Sequence, residues 1–357
     1  MKNYTPKPKA PDTEIRQTMA GKPVCCRPSN TSIAMSDGFS HKKLTTGPVM
    51  NLGDACVYSC TYCYVEPASQ GAHEEMLSQL NLEFQDVVIR RCGFKPGETA
   101  LDTLKKQMAK PAWRQRAVEF HTCFTSSTVD PAPNGVILEE TAQAMAFLFQ
   151  TTGWDIRVLS KSATLHRLAS RVLELAPGTK NRMILGVSTG TLDDRLAQAI
   201  EIGTALVSKR IQSLRRLQDE GFRTFGMVCP SLPQADYRGF SAAVCDAIRV
   251  DKCEHVWAEP LNVRGKSFTR TIEALEQSGF VDEALALREV SGKGNRPAWD
   301  DYAKETFLAH TANVPPEKLR FLHYPSKKSL SWWNRQRKNG AVLLGKVGLS
   351  VGQDSVI

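Results

Sequence analysis

Six short runs of β-type composition, at residues 49–52, 117–124, 155–160, 182–188, 224–229 and 255–261, are separated by stretches whose apolar residues recur at helical spacing. The helical stretches are 138–150, 163–175, 204–220 and 237–249. Strand alternating with helix predicts a parallel sheet with right-handed crossovers. Six such units make an α/β fold of the partial (β/α)6 TIM-barrel type, in which chemistry gathers at the C-terminal ends of the strands. The stretch between the first two runs, 70–111, is long enough to hold helices of its own. Residues 1–45 contain Pro6, Pro8, Pro11, Pro23 and Pro28 and no sustained apolar period. They read as an extension that wraps the core or stays mobile. Beyond 266 the pattern predicts two helices, 269–278 and 299–312, and then a basic aromatic segment. The expected organisation is therefore 1–45 extension, 46–265 barrel and 266–357 C-terminal segment.

Composition narrows the class. Hydrophobic residues make 41% and charged residues 23% of the chain, as in an ordinary globular protein, and no apolar run reaches membrane-spanning length. The N-terminal stretch is polar, carries Lys2, Lys7 and Lys9, and lacks the apolar core of a secretory signal, which predicts a cytoplasmic location. Ten cysteines in a chain of 357 residues then read as reduced thiols and metal ligands rather than a disulfide framework.

The net charge of +9 is concentrated in the two ends. From Lys318 to Gln353 there are eight basic residues and no acidic one, with Tyr324, Trp332 and Trp333 among them. Two readings are open. Lys327, Lys328, Trp332, Trp333, Arg335, Arg337 and Lys338 can clamp the phosphates and bases of a nucleic acid. Alternatively, the segment is a solvated basic tail with its tryptophans tucked against the barrel.

Cys56, Cys60 and Cys63 follow the first run in the form C-x3-C-x2-C. Three thiolates from one short loop can hold three irons of a [4Fe-4S] cubane and leave the fourth without a protein ligand. A zinc site would want a second C-x2-C or an H-x3-H partner, which the chain lacks. An open iron can chelate the amino and carboxylate groups of S-adenosylmethionine (SAM), so that one electron releases a 5′-deoxyadenosyl radical.

The motif at the end of a first strand resembles that of the radical SAM superfamily, and Tyr62-Cys63-Tyr64 with the downstream pattern resembles the spore photoproduct lyase and DNA repair photolyase-like group, over about residues 46–265. The resemblance implies that Tyr62 and Tyr64 contact SAM. It implies that Ser126 or Ser127 takes the SAM ammonium where many members carry Gly-Gly-Glu. It further implies that Lys161 pairs with the SAM carboxylate, that Ser188 meets the ribose or carboxylate, and that Glu259 contacts SAM or substrate. Cys123 lies where the lyase keeps a hydrogen-donating thiol, although here three positions separate it from Ser126. For each there is a plainer reading: a strand-end hydroxyl capping a helix, a solvated lysine, a salt-bridging glutamate, a small buried cysteine.

Three functions follow as expectations. The first is a radical SAM enzyme acting on nucleic acid, on a base flipped from its stack if a base is the target. The second is a maturase or small-molecule enzyme whose tail binds a protein partner. The third is a non-catalytic iron–sulfur redox-sensing module. The enzyme readings imply a reductase or flavodoxin-type electron donor.

Overall fold

Eight strands run parallel and in chain order across the main sheet: Pro48–Met50, Thr122–Thr125, Asp155–Ser160, Met183–Thr189, Arg223–Ser231, Cys253–Pro260, Leu319–Leu322 and Val342–Leu344. The computed structural model describes residues 17–35, 47–261, 266–291, 296–322, 325–336 and 342–344. Among them the sheet does not close: Val342–Leu344 forms one edge, and Ile33–Met35, antiparallel to Pro48–Met50, forms the other.

The expected βα series is present, with helices Gly135–Thr151, Leu165–Leu175, Val207–Asp219 and Tyr237–Ala247 behind the second to fifth strands. Residues 117–119, assigned to the second strand from composition, instead finish the helix Pro111–Glu119, which starts on a proline in its first turn. The larger correction concerns the C-terminal segment. After Ser267–Gln277, Val281–Ser291 and Arg296–Asn313, the chain returns to the sheet as a seventh strand, a helix Leu330–Gln336 and an eighth strand. The middle helix was not legible because it buries only Ala284 and Leu287, too few for a clear stripe.

Strand alternation sorts the side chains. Val49, Phe124, Phe225, Met227, Trp257 and Leu322 meet on one face of the sheet, while Met50, Cys123, Val158, Leu185, Val228 and Phe321 pack on the other, against the helices. Each fully buried aliphatic or aromatic side chain of that helix-facing layer contributes roughly 1.5–3 kcal/mol.

A second, four-stranded sheet, not expected from the sequence, has the order Gln17–Met19, Lys22–Pro28, Val88–Cys92, Gly53–Ala55. The first two strands form a hairpin that turns at Ala20 and Gly21, both at positive φ. Residues 17–35 are thus ordered strand structure rather than a mobile extension; residues 1–16 and 36–46 lie outside the described residues. Gly53 is required where this sheet passes under the site, since a Cβ there would lie 2.8 Å from the Ile89 carbonyl oxygen.

Candidate active site

Gly53–Ala55 delivers the chain directly to Cys56, and this approach is pinned by arginines from two other strands of the second sheet. Asp54 accepts from Arg27 at 2.8 Å and from Arg91 at 2.6 and 2.8 Å. Burial opposes the Asp54 charge, but Arg91 and Arg27 outweigh it and hold its carboxyl below the ordinary range.

The cysteine loop is then tied to the helical layer behind the main sheet at several points. Ser59–Cys60 pairs antiparallel with Glu201–Ile202, the Thr61 amide donates to the Ile200 carbonyl at 2.9 Å, and the Thr61 hydroxyl meets that of Thr271 at 2.9 Å. The Asp130 amide donates to Cys56 Sγ at 3.2 Å. Past Cys63 and Tyr64 the helix Val65–Leu80 begins, anchored by an ion pair between Glu66 and Arg270.

These ties place Cys56, Cys60 and Cys63 around one cavity of about 210 Å³, at the C-terminal ends of the strands. Its wall also holds Tyr58, Tyr62, Tyr64, Ser126, Ser127, Asp130, Lys161, Ser188, Cys229 and Glu259, contributed from the first to the sixth strand. The sheet therefore curves around the site although it is not closed. Every cofactor-binding residue expected from the sequence lines this cavity. Cys123 does not: it is fully buried on the helix-facing side, and its neighbour Phe124 takes the inward position. Burial pushes the Cys123 thiol up to about 12, the behaviour of a small core residue. The thiol that reaches the cavity outside the C-x3-C-x2-C motif is Cys229, which donates to Glu259 Oε2 at 3.2 Å.

The polar wall is more internally satisfied than the sequence suggests. Asn51 Oδ1 accepts from the Ser126 hydroxyl at 2.7 Å and from the Ser127 amide at 2.8 Å, while Asn51 Nδ2 donates to Ser127 Oγ at 3.0 Å. The Tyr64 hydroxyl donates to the Ser127 carbonyl. The two serines, both lining the cavity, are therefore held in place by Asn51. Lys161 Nζ donates to Glu201 Oε1 at 2.7 Å and to Ser188 Oγ at 3.1 Å, and lies 5.5 Å from the centre of the Tyr62 ring. The Tyr62 hydroxyl donates to the same Glu201 oxygen, and Arg210 faces the other at 2.5 Å. Burial disfavours the Glu201 charge, but Lys161 and Arg210 prevail and keep its carboxyl below the usual range. Lys161, expected to meet a ligand carboxylate, thus already has a protein carboxylate as partner. Glu201, Arg210, Asn51 and Asp130 were not singled out from the sequence. A lone acid just past a helix and a lone asparagine in a strand carry no spacing signal.

The donor set fits an iron–sulfur cluster. Desolvation, reinforced by Asp130, pushes the Cys56 thiol up to about 12, and desolvation with Glu201 nearby raises Cys60 well above its ordinary value. Such thiols are protonated unless a metal displaces the proton. Among the described residues no three His, Cys, Asp or Glu side chains converge as the ligands of a single ion do. Cys56, Cys60 and Cys63 all line one cavity, and three thiolates from a single loop are the donor chemistry that a [4Fe-4S] cluster takes.

No family model matches the chain. A protein of Acidianus two-tailed virus, uncharacterized protein ORF301, is 24% identical over 278 residues, covering 74% of this chain and 83% of that one. Among solved structures, the chain resembles spore photoproduct lyase. A spore photoproduct lyase complexed with dinucleoside spore photoproduct has a TM-score of 0.44 and 11% identity, over 76% of this chain and 80% of that one. A variant of the lyase has a TM-score of 0.43 and 12% identity, over 65% of this chain and 61% of that one. SuiB of Streptococcus suis, bound to S-adenosylmethionine, has a TM-score of 0.39 and 12% identity, over 68% and 48%.

Proposed function

We propose that the protein is a radical SAM enzyme. The observation that carries this reading is the convergence of Cys56, Cys60 and Cys63 on one cavity at the C-terminal ends of parallel strands, beside a polar wall. The three thiolates would hold a [4Fe-4S] cluster, which when bound supplies the electron that reductively cleaves SAM to methionine and a carbon radical.

The chain's own residues have definable tasks around that chemistry. The oxygens of Ser126 and Ser127, fixed by Asn51, can accept from an ammonium group at the second strand's end. Lys161 and Ser188 form a donor pair opposite, with Lys161 kept oriented by Glu201 and Tyr62. Cys229 and Glu259, from the fifth and sixth strands, add a thiol and a carboxylate to the cavity wall. The apolar residues Val49, Phe124, Leu159 and Met227 add an apolar part to the cavity wall.

For the substrate we propose nucleic acid. Its support is the net charge of +9 together with the exposed Lys327, Lys328 and Arg335. A reductase or flavodoxin-type protein would supply electrons, and the location consistent with reduced thiols is the cytoplasm. The test is anaerobic reconstitution with iron and sulfide, dithionite reduction with SAM, and chromatography for 5′-deoxyadenosine. Production by the wild type is expected; a reconstituted cluster that yields none returns the protein to the redox-sensing class.

A further inference from the structure

Lys22 carries a feature of the second sheet that packing does not explain. The hairpin bearing it lies on the cysteine loop: Met19 and Val24 share an apolar cluster with Val57, Val88 and Ile137, and Arg27 of the same strand holds Asp54, two positions before Cys56. The Lys22 Nζ atom is withdrawn from water and has no hydrogen-bond partner. The acidic groups in electrostatic range of it are Cys56, Asp86, Cys60 and Cys63, that is, all three cysteines of the motif and one carboxylate. An ammonium left without hydrogen bonds in a desolvated position is costly, and an apolar side chain of similar length would fill the same space without that cost. Burial accordingly lowers the Lys22 pKa, and the three cysteines, once they are thiolates, act with Asp86 in the opposite direction.

We propose that Lys22 is an electrostatic positioning residue whose fixed positive charge balances the negative charge gathered at Cys56, Cys60 and Cys63. The inference rests on the iron–sulfur reading given above and names a residue from outside the main sheet as part of that site. Three thiolates around a [4Fe-4S] core of charge two plus leave one net negative charge, and uptake of one electron makes it two. A nearby cation favours the more negative state, so Lys22 raises the reduction potential. The hairpin thereby acts as more than a cover: it brings a charge to a loop whose own sequence from Cys56 to Cys63 contains no basic residue.

The experiment is an EPR-monitored redox titration of reconstituted wild type, Lys22→Met and Lys22→Arg, with thermal unfolding of each apoprotein as the folding control. Lys22→Met is expected to lower the ratio of reduced to oxidised cluster at a given potential about tenfold, equivalent to about 59 mV for one electron. Lys22→Arg is expected to restore most of it. Equal midpoints in wild type and Lys22→Met, with both holding a cluster, overturn the role of Lys22 and leave the cluster intact. A wild type that takes up no cluster overturns the underlying reading instead. If only Lys22→Met fails to assemble a cluster, alkylation of the apoprotein decides: slower reaction of the three cysteines, recovered by Lys22→Arg, supports the proposal, and unchanged rates overturn it.

Discussion

The cysteine loop and the C-terminal basic aromatic segment both stand out in the sequence, and the fold treats them in opposite ways. Cys56, Cys60 and Cys63 all reach the cavity. Of the segment's aromatic residues, Trp333 is fully buried, stacked on Phe321 at 5.8 Å and edge-on to Phe307 at 5.4 Å, and Trp332 packs against both Trp333 and Phe307. Tyr324, Arg337 and Lys338 lie outside the described residues. The difference lies in what each signal specifies. Three cysteines within eight positions constrain a single loop to present three ligands together, whatever surrounds it. A mixture of lysine, arginine and tryptophan constrains nothing about which side chains face out, and a helix between two strands uses its tryptophans as core.

Substitutions in the two regions should separate on different readouts. Cys60→Ala is expected to have the largest effect, abolishing both iron retention after reconstitution and 5′-deoxyadenosine formation while leaving the fold near wild type. Retention of a full cluster by that variant would remove the motif from the site. Trp333→Ala should do the reverse. A cavity beside Phe307 and Phe321 is expected to cost about 3–5 kcal/mol in denaturant unfolding. Nucleic-acid affinity of the molecules that remain folded should be unchanged. A variant of undiminished stability that lost nucleic acid would put Trp333 on the binding surface.

Between these two regions lies the network that ties the cysteine loop to the helical layer behind the main sheet. Glu201→Gln removes the carboxylate shared by Lys161, Arg210 and Tyr62, leaving the fully buried Arg210 and the part-buried Lys161 without a counter-charge. The expected cost is about 3 kcal/mol by chemical denaturation. It should be accompanied by faster loss of cluster, since Ser59–Cys60 pairs with this same segment. Wild-type stability in Glu201→Gln would show that the backbone pairing alone holds the loop.

The C-terminal half also contributes a pH dependence that the cysteine loop does not. His310, on the helix Arg296–Asn313, is buried beside Ser241, and burial holds its pKa at about 4, below the ordinary 6.5. The unfolded chain therefore binds a proton that the folded one refuses. Stability is full above about pH 6.5 and declines as pH falls toward 4, by about 1.4 kcal/mol at about pH 5.5 from this residue. Unfolding curves of wild type and His310→Gln at both pH values measure the difference; parallel slopes would show that His310 is protonated in the folded state.

Legibility followed the same division. The six strands were readable because β-branched and apolar runs recur between amphipathic helices. The seventh and eighth were not: Leu319–Leu322 is only four residues, with Glu317 and Lys318 just before it and Arg320 within it, and Val342–Leu344 is only three. The hairpin at Gln17–Pro28 escaped notice because its Lys-Pro-Val-Cys-Cys-Arg-Pro strand does not alternate apolar with polar. At the site, the residues on strand ends were found by position along the main sheet. Those acting from elsewhere, Glu201 from a helix end and Lys22 from the hairpin, become visible only when the chain is folded. Cys123, read from the sequence as ending the second strand, is the second residue of Thr122–Thr125 and takes the plainer of its two readings, a small buried cysteine. Strand parity decides this: Phe124 shares the inner cluster with Val49, so Cys123 must point outward.

The smallest expected effect bears on what survives of the basic segment as a nucleic-acid contact. Lys327 and Lys328 are exposed at the turn before the helix Leu330–Gln336, whose buried Trp333 fixes that turn against the core. Two lysines held on a rigid corner can each meet a phosphate without ordering a flexible tail, so their contribution is electrostatic and independent of base sequence. Replacing both with alanine should leave stability within about 0.5 kcal/mol, as at other exposed positions. The same change should lower the slope of log affinity against log salt by about two if both contact DNA or RNA. Such a drop, uniform across sequences, would assign the corner to the nucleic-acid path. An unchanged slope, together with Trp333 in the core, would leave the basic segment with a folding role alone and transfer the substrate search to proteins and small molecules.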